Sequence, residues 1–139
     1  MTLMPIDDDE AIRRILKNAK TIAVVGASVK PWRDSNSIMK FLIDKGYKVF
    51  AVNPKYSEVL GITCAPDLSR VPEKIDIVDV FRRPEVLDEI VDDALEVGVK
   101  TLWLQVGVVN ETAAERAERA GLNVIMDRCI RIDHQRLLR

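Results

Sequence analysis

The sequence predicts an α/β fold: a single domain built on a doubly wound, mainly parallel sheet with helices on both faces. Three observations carry this. Apolar, β-branched runs alternate with helical patterns along the whole chain. Three stretches, DKGYKV, EVGVKT and RAGLNV, each set a glycine between a helical pattern and the next strand pattern. Gly46, Gly98 and Gly121 suit the left-handed residue that ends a helix, so the same strand-helix unit recurs. A length of 139 residues fits one domain, and no stretch has the composition of a linker.

Each element follows from local pattern. Residues 7–19 read as a helix packed on the core, with Asp7 as cap and Glu10 three residues later as a capping-box variant. Ile12, Ile15, Leu16 and Ala19 share its apolar face. TIAVVGA is the first strand and ends in glycine. Residues 36–45 form a helix with Ile38, Phe41 and Leu42 inward, and YKVFAV is the second strand. Residues 53–75 are the least regular part, with GITC as a short strand inside them. DIVDVF is a strand, and Pro84 opens a helix reaching about Val97, since proline suits a first helical position. TLWLQVG is the next strand, and Asn110 caps the helix after it. NVIMD is the last strand, and Ile130 to Leu138 a short closing helix. With right-handed crossovers, this series gives a Rossmann-like sheet.

Composition narrows the function. The formal net charge is −1, from 21 basic and 22 acidic residues, which argues against a general nucleic-acid or membrane-surface binder. Cys64 and Cys129 have neither metal-ligand spacing nor a disulfide framework around them, and read as reduced thiols. The N-terminus MTLMPIDDDE is acidic without an apolar signal core, and no apolar run reaches the ~20 residues of a membrane span. The expectation is a cytoplasmic protein.

In open sheets of this kind, ligands bind outside the carboxyl ends of the strands. Those ends carry Lys30 and Arg33, then Lys55, then Arg82 and Arg83. Lys20, Lys48, Lys74 and Lys100 fall at the opposite edge, where Lys48 and Lys100 follow helix C-termini that favour cations. The carboxyl-edge cations have no such reason, and together they suggest an anion site. The first loop, VVGASVKPWRDSNS, starts like a dinucleotide fingerprint but has Ser28 where a second glycine belongs. The acidic residue that binds ribose hydroxyls is replaced by Asn53, Pro54 and Lys55. NAD therefore fits poorly. A ligand with a diphosphate and an extra ribose phosphate fits better, and coenzyme A is one. NADP is the alternative.

These residues give the chain its resemblance to small stand-alone CoA-binding proteins, whose domain is similar to the N-terminal CoA-binding domain of the succinyl-CoA synthetase α subunit. The resemblance covers about residues 20–138. It rests on VVGAS followed by PWR, GYKVFAVNPK, DIVDVFRRPE, WLQVGVVN and VIMDRC in that order. It implies a Rossmann-like fold with CoA bound at the carboxyl edge; with no catalytic constellation in the residues, the expectation is non-catalytic binding of CoA or an acyl-CoA. Gly26, Ala27 and Ser28 would line the diphosphate site, with Arg33 as a further phosphate contact. Asn53, Pro54 and Lys55 would border the adenosine phosphate region. Phe81, Arg82 and Pro84 would flank the nucleotide, and Gln105, Gly107 and Val108 would lie at the fourth strand's end. RDSNS departs from the family pattern, in which a glycine is common near Ser37. The alternative reading is an NADP-binding oxidoreductase-like protein or a subunit of an acyl-CoA ligase.

No residue is assigned a catalytic role, and no metal site is expected. His134, the sole histidine, reads as a surface or partly packed residue. Cys129 reads as a buried core cysteine, with a mixed disulfide to the CoA thiol as the alternative. Asp76 and Asp79 read as capping or solvated residues, and Trp32 and Trp103 as packing residues. No partner motif is evident, so a protein partner is left open.

Overall fold

The computed structural model describes residues 4–139; residues 1–3, the start of the acidic N-terminal stretch, lie outside them. Seven strands form one sheet: β1 (Thr21–Val25), β2 (Lys48–Val52), β3 (Glu58–Val59), β4 (Ile62–Ala65), β5 (Ile77–Val80), β6 (Thr101–Leu104) and β7 (Asn123–Met126). Their spatial order is β3-β4-β2-β1-β5-β6-β7, and only β3 runs antiparallel to its neighbour. Counted alone, the six parallel strands read 3-2-1-4-5-6, the doubly wound order of dinucleotide-binding sheets. The order reverses between β1 and β5, so a crevice opens above that pair.

Five helices cover the sheet: α1 (Asp9–Asn18), α2 (Asp34–Asp44), α3 (Leu87–Val97), α4 (Glu111–Arg119) and α5 (Ile130–Leu137). The alternating side chains of each strand divide the core in two. On one face Ile12, Leu16, Ile38 and Leu42 pack with α5's Ile130 against Ile22, Val24, Ile77 and Trp103. On the other, Leu87, Val91 and Ala94 of α3 and Ala113 and Ala117 of α4 cover Ala23, Val78, Val80 and Leu102. Every residue of β5 and β6 is buried, as expected of strands covered on both faces.

The observed boundaries differ from the sequence pattern in a few places. The cap of α1 is Asp8, not Asp7: its carboxylate accepts the Ala11 N–H at 3.0 Å. Glu10 closes no capping box and pairs with Arg13 instead. The cause is tertiary, because the Ile6 N–H is bonded to the Val124 carbonyl at 2.7 Å, holding the chain extended up to the cap. Asp8→Ala is expected to cost about 1 kcal/mol, read as a lowered Tm, while Asp7→Ala leaves stability unchanged.

GITC is a strand, β4, but β3 was not foreseen. It is two residues long and joined to β4 by Leu60-Gly61, both at positive φ (53° and 75°). A two-residue hairpin turn of this hand usually announces itself with Asn-Gly or Asp-Gly, and leucine hides it. Pro84 opens a single 3₁₀ turn that leads into α3 at Leu87. Gly46, Gly98 and Gly121 all stand at positive φ after helix ends, as their spacing predicts.

At the amino edge Asp76 does the work of a clasp. Its carboxylate accepts the Lys20 and Thr21 N–H groups at 2.7 and 3.2 Å and faces Lys100 Nζ at 3.4 Å. Burial pushes its pKa up, but those N–H groups and Lys100 outweigh this and hold it below the usual carboxylate value. No helix of the described residues is long and apolar enough to cross a membrane.

Candidate functional site

A cavity of about 800 Å³ opens at the carboxyl edge of the sheet, over the crevice between β1 and β5. Its lining brings together eight of the residues singled out from sequence: Gly26, Ser28, Arg33, Asn53, Lys55, Phe81, Gln105 and Val108. They come from the ends of four strands, so the topology alone unites them.

The loop after β1 is built to present donors. Gly26 stands at φ 91° with the Phe81 backbone so near that an added Cβ would lie 3.2 Å from it. The loop carbonyls turn inward: Asn53 Nδ2 donates to the Ala27 carbonyl at 2.9 Å, and the buried Asn36 Nδ2 to the Ser28 carbonyl at 2.8 Å. Ser28 Oγ accepts the Lys30 N–H at 3.1 Å, and the Arg33 N–H reaches the Lys30 carbonyl at 3.1 Å. This double turn starts α2 at Asp34, two residues earlier than the apolar pattern indicates.

The result is an open helix end. α1 and α4 are capped by side chains of Asp8 and Asn110, whereas α2 has Arg33 at its cap position and no side-chain cap. Among the described residues, the N–H groups of Ser28, Val29, Asp34 and Ser35 have no acceptor. Such a turn, with the helix dipole behind it, favours an anion. Ser35 is 4 % exposed, lines the cavity, and its hydroxyl has no hydrogen-bond partner among the described residues. Gln105 is 6 % exposed; its Oε1 accepts the Ile130 N–H at 3.1 Å, and its amide nitrogen has no partner among the described residues. These are buried polar groups with unused capacity facing a cavity, which is what a polar ligand requires.

Charge agrees. Lys30, Arg33, Lys55 and Arg131 line the cavity against one carboxylate, Asp34. Among the described residues, none of the four cations is in an ion pair. Arg131 reaches only Ser37 Oγ, at 3.3 Å. Arg128, by contrast, is bidentate on Asp133 at 2.7 and 2.8 Å.

Five residues picked from sequence do not line this cavity. Ala27 is fully buried in the core beneath the loop. Pro54 and Arg82 line a separate hollow of about 270 Å³ on the α3 face, where Arg82 sits among Asp67, Glu89 and Asp93. Pro84 and Gly107 line neither; the Gly107 N–H is taken by Asp127 at 2.8 Å. Alternation explains the split, because neighbouring positions at a strand end point to opposite faces.

Other residues lie elsewhere than their patterns implied. Trp103 is buried, but Trp32 is 76 % exposed at the cavity mouth, with Lys30 Nζ 6.0 Å from its ring. Cys129 is only half-buried and lines the cavity. Asp79 is neither a cap nor solvated. It is fully buried in β5, and both carboxylate oxygens lack partners among the described residues. Burial pushes its pKa well above the usual value. His134 is buried and packs edge-on against Phe41 and Tyr47, away from the cavity. Burial, then Lys45, lowers its pKa, so it is neutral at pH 7.

Ser35, Tyr56, Val106, Arg131 and Ile132 line the cavity without having been picked out. An earlier helix start would have revealed Ser35. Arg131 and Ile132 follow the carboxyl end of β7, and the packing of α5 on α1 and α2 turns them towards this cavity.

The model of the family described as CoA binding domain matches residues 20–135. This chain belongs to the CoA binding domain family. It is 42 % identical over 123 residues to YneT of Bacillus subtilis, covering 88 % of this chain and 91 % of that one. It is 29 % identical over 121 residues to an ADP-forming acetate–CoA ligase of Archaeoglobus fulgidus, covering 80 % of this chain but 18 % of the ligase. The match thus spans less than a fifth of that ligase. Among solved structures, a Pyrococcus horikoshii protein superposes with a TM-score of 0.94 at 45 % identity, covering 100 % of this chain and 99 % of that one. A dinucleotide-forming acetyl-coenzyme A synthetase of Candidatus Korarchaeum cryptofilum superposes with a TM-score of 0.72 at 28 % identity, covering 81 % and 27 %. The chain is thus similar over most of its length both to small proteins of its own size and to a part of larger ligases.

Proposed function

We propose that this protein binds coenzyme A or an acyl-CoA in the carboxyl-edge cavity and performs no chemistry on it there. The observation that carries the reading is the uncapped end of α2. Ser28, Asp34 and Ser35, whose N–H groups have no acceptor among the described residues, line a cavity rimmed by four cations that form no ion pair among those residues. A diphosphate matches this donor set in charge and size. Lys55, beside Asn53 and Tyr56 at the end of β2, is placed for the extra phosphate on the ribose. Phe81, Gln105, Val106 and Val108 then offer a mixed apolar and amide wall to the pantetheine arm. Family membership and the ligase relatives support CoA over other anions.

The test is mass spectrometry of ligand released from purified protein, followed by calorimetry with CoA and dephospho-CoA. CoA is expected to bind roughly tenfold tighter, about 1.4 kcal/mol. Lys55→Ala is expected to erase that preference, while Lys20→Ala, at the opposite edge, leaves it intact. Equal affinities in the unaltered protein would remove the Lys55 assignment. The strand order also suits a dinucleotide, so tighter binding of NADP than of CoA would favour an oxidoreductase-like reading instead.

A further inference from the structure

We infer that Cys129 is a covalent capture site for CoA presented as its disulfide, an inference that rests on the CoA reading above. Cys129 closes the loop between β7 and α5 and is the sulfur in the cavity wall. Its position is held by the next peptide: the Ile130 N–H donates to Gln105 Oε1 at 3.1 Å. The same cavity holds two polar side chains, each more than nine-tenths buried, with unused donors: Ser35 at 4 % exposure and Gln105 at 6 %. They show a site made for a polar ligand, independently of the thiol. Cys64, the other cysteine, is buried, and its sulfur donates to the Asn53 carbonyl at 3.4 Å.

Strand order places Cys129 at the correct end. The α2 anion site follows β1, and Cys129 follows β7, three strand positions away. At about 4.8 Å per position that is ~14 Å. The pantetheine arm has two amide links and the reach of roughly four extended residues, about 14 Å. A diphosphate seated at Ser28 and Ser35 with its arm running past Phe81 and Gln105 therefore brings the sulfur to Cys129. The wall there is low: Val106 and Ile132 are 66 % and 59 % exposed, which leaves an exit for the second half of a disulfide.

The step is thiol–disulfide exchange. The Cys129 thiol loses its proton to solvent, and its sulfur attacks the nearer sulfur of CoA disulfide. A protein–CoA disulfide forms, the original S–S bond breaks, and the second CoA departs as a thiolate that takes up a proton. There is no net oxidation, and excess thiol reverses the step. Bound CoA would thereby shield the thiol from further oxidation.

The test treats the full chain with CoA disulfide, and separately with cystamine, which has no nucleotide, and follows intact mass and peptide mapping. One CoA is expected per chain, on Cys129, removed by dithiothreitol. Labelling by CoA disulfide is expected to be at least tenfold faster than by cystamine, and excess dephospho-CoA slows it less than CoA does. Cys129→Ser is expected to abolish the adduct, and Cys64→Ser to leave it in place. CoA binding without the adduct, an adduct on Cys64, or equal rates for the two disulfides would overturn the inference and leave the CoA reading standing. No CoA binding by calorimetry would overturn both.

Discussion

Asp79→Asn is expected to stabilise the protein increasingly as pH rises. Asp79 is wholly buried between Val24 and Trp103 on neighbouring strands, and neither of its oxygens has a partner among the described residues. The Trp103 indole N–H is already committed to the Arg128 carbonyl at 2.9 Å. An ionised carboxylate without donors is intolerable in such a place, so the folded protein keeps the proton and the pKa is raised by burial. Above the ordinary carboxyl value the unfolded chain has lost that proton while the folded chain retains it. Stability therefore falls with rising pH, by about 1.4 kcal/mol per unit, from near pH 3.9 until the raised folded value is passed. The contribution is fully present only below the unfolded value. Asparagine has the same shape and no proton to lose, so the variant lacks this slope. Urea unfolding at several pH values between 5 and 8 reads the difference. Parallel stability curves for the two proteins would show that Asp79 is not the protonated group.

Gly26→Ala is expected to cost about 2–3 kcal/mol. Part of this is the left-handed conformation, roughly 1–2 kcal/mol for any residue with a Cβ. The rest is the crowding by Arg82 Cδ and the Phe81 backbone, which would lie 3.1 and 3.2 Å from the new atom; the Phe81 backbone is tied to the Val25 carbonyl by its N–H at 2.9 Å and has little room to give. Gly98→Ala isolates the first part, because it too has positive φ but nothing near the added atom, and its cost is expected to be about 1 kcal/mol less. Chemical denaturation of both variants measures the pair. Equal losses would mean that the strand-end crowding is unimportant. The same substitution bears on the candidate site, since Gly26 lines the cavity and begins the turn that carries Ser28 and Arg33 into its lining.

Much of the fold was legible because it rests on local pattern. The periodicity of Ile12 and Leu16, the β-branched runs of the strands, and the glycines after helices each reflect short-range chemistry. The exceptions are instructive. Leu60 conceals a hairpin because its positive φ is imposed by the turn rather than preferred by leucine. Asp8 displaces Asp7 as cap because a bond from Ile6 to β7 sets where α1 begins. The candidate site was legible to the extent that it lies at strand ends: Gly26, Ser28, Asn53, Lys55, Phe81 and Gln105 all line the cavity. Arg82 and Pro54 miss it because adjacent positions at a strand end face opposite sides of the sheet. Arg131 and Ile132 enter it from a helix that is distant in sequence from the β1 loop.

The departure in VVGASVKPWRDSNS from a dinucleotide fingerprint was visible in the residues alone, and so was the gathering of cations at one edge. What they form was decided by tertiary structure. Asn36 and Asn53 hold the loop carbonyls, and α2 starts without a side-chain cap at Asp34, which leaves Ser28, Asp34 and Ser35 in the cavity lining with N–H groups that have no acceptor among the described residues. The burial of Asp79 and the place of the half-buried Cys129 in the cavity wall belong to the same level. Side-chain type and periodicity specify which elements form, but burial and free hydrogen-bonding capacity exist only once elements far apart in the chain are packed together.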